Sequence, residues 1–264
     1  MSFKSIALVG DLWGLGLLLK YIPRSLISCL VCSSVRPQYV SDIQVLAARH
    51  SLPLLIQPKR TDPSYSDFYA EFLSYRADSL ICNSYSLLIQ PDILDSIQGN
   101  AFNVHPSYLP FNRGPHPVQW SLIKGDSFTG VTLHKMNNQF DCGDIIFRCR
   151  IDIPLLSTWV DLESLVNEQT DRCLSLWIPS LLNGDYQLMP QPPTFEPPNH
   201  KLNKDYPRID FASMSNLQIY NLIRGQVRPL SGAFVELNDG SRRHFNEFVP
   251  LESIQDIRDM YSEL

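Results

Sequence analysis

The chain has 264 residues, 44% hydrophobic and 19% charged, with a formal net charge of -5. This length and balance describe one large folded domain, or one domain with a small appendage, and exclude a chain disordered throughout. The negative charge gives no global attraction for nucleic acid, although it leaves room for a local basic patch.

No apolar run reaches the roughly 18–20 residues of a membrane span. The opening MSFKSIALVGDLWGLGLLLK has the cationic start and apolar stretch of a signal peptide. Gly10, Asp11, Gly14 and Gly16 interrupt it, so strand, turn and helix is the better description. Six cysteines stand at 29, 32, 82, 142, 149 and 173. Cys29-x-x-Cys32 has the spacing of a zinc or redox pair, but it lies in the apolar run LISCLVCSS with no second pair to complete a site. Buried small hydrophobes are expected there, and a reducing cytoplasm as the compartment.

Ser5 to Asp11 reads as a strand and WGLGLLLKYI as the helix after it. Gly10, Gly14 and Gly16 give G-x-x-x-G-x-G rather than G-x-G-x-x-G. The strand LISCLVCSS is followed by Val35, Arg36 and Pro37, with no acidic residue for a ribose. Close packing of helix on strand competes with a dinucleotide loop and is preferred. The alternation continues: DIQVLAARHS helix, LPLLIQ strand, YSDFYAEFLSYR helix, DSLICNSYS strand, PDILDSIQ helix, AFNVHPS strand. It predicts an α/β fold, a mostly parallel Rossmann-like sheet with ligands at the carboxyl ends of its strands. PVQWSLIKG has helical spacing and stops at Gly125. FTGVTLHKM and DIIFRCRIDI read as strands joined by NNQFDCG, and residues 160 to 182 as a long amphipathic helix. After Gly184, QLMPQPPTFEPPNH reads as an extended linker. A helix in IDFASMSNLQIYNLIRG and a hairpin turning at Asn238-Asp239-Gly240 follow. The predicted division is a catalytic domain over 1–184, a proline-rich linker over 185–205 and a small subdomain over 206–264.

The polar groups concentrate between Ala101 and Ile146. Asn103 and His105 are two apart, so on a strand they share one face, with Phe102 and Val104 on the other. Pro106 ends that strand. The turn after the next strand carries Asp141. No strained nucleophile turn such as G-x-S-x-G accompanies His105, and Ser107 is separated from it by proline. Metal binding by His105, His134 and Asp141 lacks the usual helical spacing, so no metal is expected. An amide, an imidazole and a carboxylate suit acyl transfer to an external amine. The amide and a protonated imidazole donate to the tetrahedral oxyanion, and the carboxylate steadies the imidazolium.

N-V-H-P-S-Y-L-P-F-N-R-G-P-H-P-x-x-W, then G-x-T-L-H, then D-C-G-D-I resembles the formyltransferases that use N10-formyltetrahydrofolate. The resemblance is dense from Asn103 to Ile146 and weaker over the rest of the alternating domain. It implies the formyltransferase fold and a catalytic trio at Asn103, His105 and Asp141. Asp144 is the rival acid, but the family's D-x-G-x-I puts the catalytic acid first. It implies a folate pocket between Ser84, Tyr85, Ser86, Leu87 and Leu88 on one loop and Asn137, Phe140 and Asp141 on another. Arg113 lies in the family's L-P-x-x-R-G turn and is a candidate for binding substrate or for tying the loop.

The segment from Lys201 to Phe234 resembles one shared by the tRNA and sugar-nucleotide members. The tRNA members follow it with a β-barrel, whereas thirty residues remain here after Phe234, enough for a hairpin. Arg228-Pro229-Leu230-Ser231-Gly232 departs from the family's frequent aromatic-Pro-Gly. The expected acceptor is therefore an amino-deoxysugar on a nucleoside diphosphate, dTDP more commonly than UDP. Tyr206, Arg208 and Arg224 are candidates to hold the nucleotide. A homodimer through the C-terminal hairpin is expected, with no nucleic-acid or membrane partner. A methionyl-tRNA formyltransferase-like enzyme and a non-catalytic folate or nucleotide-binding module stay as alternatives.

Overall fold

Short apolar runs ended by glycine or a polar residue, each followed by a helical repeat, build an alternating fold in the computed structural model. It describes residues 3–192, 196–203 and 205–261. Five strands come first: β1 (Ile6–Gly10), β2 (Ile27–Ser33), β3 (Leu54–Gln57), β4 (Ser79–Asn83) and β5 (Ala101–His105). They alternate with helices α1 (Leu12–Tyr21), α2 (Val40–Arg49), α3 (Tyr65–Ser74) and α4 (Pro91–Ser96). Then come α5 (Pro117–Lys124), β6 (Phe128–Lys135), β7 (Ile145–Asp152) and α6 (Trp159–Asn183). The chain continues with α7 (Asn216–Arg224), the hairpin β8 (Ala233–Glu236) and β9 (Arg242–Phe245), and α8 (Ile254–Tyr261).

The seven-stranded sheet has the order β3-β2-β1-β4-β5-β6-β7. The pairs among β1 to β5 are parallel, and β6 runs antiparallel to β5 with Asn103 opposite His134 and His105 opposite Thr132. β1 and β4 are buried along their whole length, as parallel strands covered on both faces must be. The strand order reverses where β1 lies between β2 and β4, so the carboxyl ends of β1 and β4 open at a switch point.

Contacts group the described residues into two compact units. The first takes those of Met1–His105, Thr132–Arg148 and Thr170–Pro193. Tyr65, Phe68 and Phe72 of α3 and Ile93 and Leu94 of α4 pack there on Ala7, Val9, Leu80 and Cys82. Cys29 and Cys32 are buried free thiols, pushed up by burial to about 12 and about 11, which makes them packing groups rather than nucleophiles.

The second unit takes Pro106–Val131, Cys149–Gln169 and the described part of Thr194–Leu264. This grouping differs from the division expected at 184 and 205. Residues 106–131 and 149–169 join the C-terminal residues because side chains from distant segments interlock. Gly125, left-handed at φ 74°, leaves room for the Asn221 amide, which would lie 2.8 Å from a Cβ there. Trp159 donates its indole N–H to the Val227 carbonyl at 2.7 Å. The predicted linker is also engaged where it is described. The Asn199 N–H donates to the Arg113 carbonyl at 2.7 Å, and Trp120 Nε1 to the His200 carbonyl at 3.0 Å. Pro193, Thr194, Phe195 and Lys204 of that linker, and 262–264 of the predicted subdomain, lie outside the described residues.

Arg224, expected at a nucleotide, is only 4% exposed. Its Nε donates to Asn221 Oδ1 at 2.9 Å, and its Nη1 faces the carbonyls of Pro154, Leu155 and Ser157 at 3.3, 3.0 and 3.2 Å. It therefore closes the turn between β7 and α6, and this corrects its placement as a nucleotide contact. Arg224→Met should lower folding stability by roughly 3 kcal/mol, because the carbonyls of Pro154, Leu155 and Ser157 each lose a bond to a charged donor and the Asn221 amide loses its partner. Urea titration of the purified variant measures this, and an unchanged midpoint would deny the role.

Candidate active site

β5 alternates Phe102 and Val104, buried in apolar packing, with Asn103 and His105 on the opposite face. Asp141 meets that polar face. Its Oδ1 lies 3.4 Å from Asn103 Nδ2, and its Oδ2 lies 3.6 Å from His105 Nδ1. His134, directly across the β5–β6 ladder from Asn103, completes the group: its Nε2 is 3.2 Å from Asn103 Nδ2 and 3.5 Å from Asp141 Oδ1. The two imidazoles stand edge to face, centroids 6.4 Å apart. His105 is 6% and His134 1% exposed, so water screens these charges weakly.

The tautomer of His134 follows from its surroundings. Its Nδ1 lies 2.7 Å from the Lys135 carbonyl, an acceptor only, so Nδ1 carries hydrogen. In the neutral ring Nε2 then accepts, and the amide of Asn103 donates to it. The same NH2 group donates toward Asp141. This orients the amide, since the flipped group would set its oxygen against the carboxylate. The sequence offers His134 as a metal-ligand candidate beside His105 and Asp141; its pairing opposite Asn103 is what makes it a member of the cluster.

Asp141 is held by its backbone. The loop leaves β6 with the Met136 N–H on the Ala101 carbonyl at 2.9 Å and the Lys135 N–H on the Asp144 carbonyl at 2.9 Å. A Cβ on Gly143 would lie 1.9 Å from the Lys135 carbonyl oxygen, so only glycine lets the loop return this tightly. Gln191 Nε2 donates to the carbonyls of Asp141 and Gly143 at 2.7 and 2.8 Å. Asp141 itself is left-handed, φ 52°, a strained state that such partners maintain. Gln191 escaped sequence reading because it binds carbonyls, which carry no residue signature. Asp144 joins the β6–β7 pairing through its carbonyl, whereas it is the Asp141 carboxylate that meets Asn103 and His105.

Of the residues expected around a folate, Ser84 begins the loop after β4 with φ 57°. Tyr85 donates its hydroxyl to Gln57 Oε1 at 3.0 Å, and burial pushes its phenol well above the ordinary value. Gln57 Nε2 donates to the Leu88 carbonyl at 3.2 Å, so one buried glutamine holds this loop at two points. Ser86 and Leu88 are exposed and Leu87 half-buried. On the other loop Asn137 Oδ1 accepts from the Gln139 N–H at 2.9 Å, and Phe140 is exposed. No group of three or more His, Cys, Asp or Glu side chains among the described residues has the geometry to hold a metal.

Arg113, Tyr206 and Arg208 belong to the second unit. Arg113 Nη2 donates to the Glu196 carbonyl at 2.8 Å, which ties its loop. Tyr206 packs edge-on against Trp120 and His200, centroids 4.8 and 5.1 Å away. Arg208 is exposed, 3.7 Å from Glu236, on a cavity of about 430 Å³ that Phe211 and Tyr261 also line.

Residues 35–178 match the profile of the formyl transferase family. A methionyl-tRNA formyltransferase of Pseudoalteromonas translucida (strain TAC 125) is 34% identical over 186 residues, 70% of this chain and 56% of that enzyme. The chain spans less than two thirds of the length of the curated relatives it matches. A sugar N-formyltransferase from Shewanella sp FDAARGOS_354 shares the fold with a TM-score of 0.70 at 18% identity, over 94% of this chain and all of that one. The sugar 3N-formyl transferase WlaRD, solved in the presence of dTDP and 5-N-formyl-THF, gives a TM-score of 0.61 at 18% identity over 85% of this chain and 80% of that one. With the family profile matched over more than half of its length and the fold shared along nearly all of it, the chain belongs to the formyl transferase family.

Proposed function

We propose that the chain is an N-formyltransferase that moves the formyl group of N10-formyltetrahydrofolate to the amine of a nucleotide-linked amino-deoxysugar, dTDP-linked in the first instance. The observation that carries the chemistry is the meeting of Asn103, His105 and Asp141 within 3.6 Å on one buried polar face. The formyl donor supplies a carbonyl whose oxygen gains charge as the amine attacks and whose bond to N10 breaks as N10 gains a proton. The loops fit such a donor: exposed Leu88 and Phe140 offer apolar surface to an aromatic heterocycle.

Asn103 and His105 then serve the oxygen. The amide hydrogens of Asn103 are held at 3.2 and 3.4 Å, long bonds that a charged oxyanion at closer range outcompetes. His105 takes the proton of the attacking amine, donates as imidazolium to the oxyanion, and gives the proton to N10 as the bond from the formyl carbon to N10 breaks, while the Asp141 carboxylate balances the charge on the ring. His134 keeps the amide of Asn103 turned with its N–H groups toward the cluster. Each contribution is worth about a hundredfold to a thousandfold in rate.

The sugar-nucleotide acceptor is supported by the solved relatives that share the fold over 94% and 85% of this chain. Arg208 and Tyr206 stay the candidates for its nucleotide, with Arg113 a weaker one given its loop bond. Identity to methionyl-tRNA formyltransferases favours a second reading, formylation of a charged tRNA. The same proposal includes a homodimer through the hairpin, whose two-stranded sheet of β8 and β9 has an edge to offer a partner.

Incubation with N10-formyltetrahydrofolate and dTDP-linked amino sugars should add one formyl group to the sugar nucleotide, detected by mass spectrometry. Product with methionyl-tRNA alone would transfer the assignment to the second reading, and no product with either would remove the enzyme assignment. His105→Asn should lower kcat by at least about a hundredfold while formyl-donor binding, followed by fluorescence, persists; substantial residual turnover would exclude His105 as the proton-handling group. Sedimentation velocity should show a species of twice the chain mass, and a monomer at all concentrations would rule out the dimer.

A further inference from the structure

The turn from β1 into α1 reads in sequence as a flawed dinucleotide loop, and its geometry shows a different use. Gly10 lies opposite Asn83 in the parallel β1–β4 pairing. A Cβ on Gly10 would stand 2.4 Å from the Asn83 carbonyl oxygen, and one on Gly14 would stand 2.1 Å from it. Two glycines therefore make a slot for that single carbonyl. Immediately after it, Ser84 takes the left-handed conformation that non-glycine residues avoid.

Asp11 grips the chain at that point. Its N–H donates to the Ser84 carbonyl at 2.9 Å, and Ser84 Oγ donates to its Oδ2 at 2.9 Å. Its Oδ1 accepts from the Gly14 N–H at 2.8 Å and caps α1. The carboxylate thus occupies the helix N-terminus that a phosphate-binding loop leaves to its ligand. Arg36, 3.8 Å from Oδ2 and half exposed, contributes little. The far end of the same loop is tied separately, by Gln57 to Tyr85 and Leu88.

We infer that Asp11 is a positioning residue for the formyl donor: it sets the turn at Ser84, and so the start of the loop from Ser84 to Leu88. The inference rests on the proposed assignment of that loop to the folate. It also explains why the glycines are spaced as they are, with Gly10 and Gly14 cradling backbone.

Two measurements on the full chain test it: calorimetric binding of 5-formyltetrahydrofolate, and hydrogen exchange over residues 84–88. Asp11→Ala should weaken binding about fivefold to tenfold and speed exchange across the loop. Ser84→Ala should do the same, and the double variant should be no worse than either. Asp11→Asn should restore both, because its amide oxygen still caps Gly14 and the Ser84 hydroxyl can turn to accept from Nδ2. In turnover the loss should fall on KM for the formyl donor, with kcat within about twofold. Unchanged affinity and exchange in Asp11→Ala would overturn the inference, as would a loss confined to kcat. If the unaltered chain binds no folate, the formyl-donor assignment fails, and with it the link to the donor. Exchange would then still decide the clamp: faster in Asp11→Ala and restored in Asp11→Asn upholds it, and no change overturns it.

Discussion

A carboxylate carried on a loop has to reach an amide and an imidazole carried on a strand, and this reach constrains the candidate site. Asp141 lies within 3.6 Å of Asn103, His105 and His134. A charge so placed among groups that are mostly buried is costly unless its position is fixed, since a carboxylate free to swing would gain more from water than from partners at these distances. The fixing is done through backbone. Gly143 returns the loop against the Lys135 carbonyl, and Gln191 binds the carbonyls on both sides of Cys142. The side chain of Asp141 is thereby left for its four-group cluster.

The same device recurs at the other loop. At the end of β4, Gly10 and Gly14 accommodate the Asn83 carbonyl and Asp11 holds Ser84, while Gln57 holds Tyr85 and Leu88. The sheet supplies rigid strand ends, and buried or capped polar side chains convert them into fixed loop backbones.

Legibility in the sequence follows the kind of interaction involved. Strands and helices of the alternating region were readable because apolar periodicity is a local signal, and the two-residue spacing put Asn103 and His105 on one face without further knowledge. Asp141 could be read as a carboxylate on a nearby turn, but its choice over Asp144 required the family resemblance, since no spacing joins residue 141 to residue 103. Gln191, Gln57 and the pairing of Asp11 with Ser84 escaped because their partners are carbonyls or lie about 30 to 70 residues away. Arg224 was misplaced for the same reason: an arginine among polar neighbours in sequence reads as a surface anion binder, and only the carbonyls of the 154–157 turn account for its burial. Helix α8 was missed although Ile254, Ile257 and Tyr261 have helical spacing, because the hairpin signal before it drew the reading toward strands. The interleaving of 106–131 and 149–169 with the C-terminal residues is a property of long-range packing that no linear boundary can represent.

The identity to methionyl-tRNA formyltransferases and the likeness in fold to sugar N-formyltransferases report on different parts of the problem. The family match at 35–178 covers the strands and loops that hold Asn103, His105, Asp141 and the loop of Ser84. In the proposed function residues there answer to the formyl donor and to proton transfer, which do not change with the acceptor, so identity in that stretch does not choose between acceptors. The acceptor has to be recognised by other groups, and recognition of a small sugar nucleotide and of a large polyanion place opposite demands on charge. A polyanion is held by many cations whose contributions accumulate, whereas a diphosphate and a base need only two or three fixed contacts and a stacking surface. Arg224 is committed to the carbonyls of the 154–157 turn and Arg113 to the Glu196 carbonyl, so neither is available to such an array. Arg208 shares its cavity of about 430 Å³ with Phe211 and Tyr261 and with the carboxylates of Asp210 and Glu236, so the lining there answers to neither requirement by charge alone.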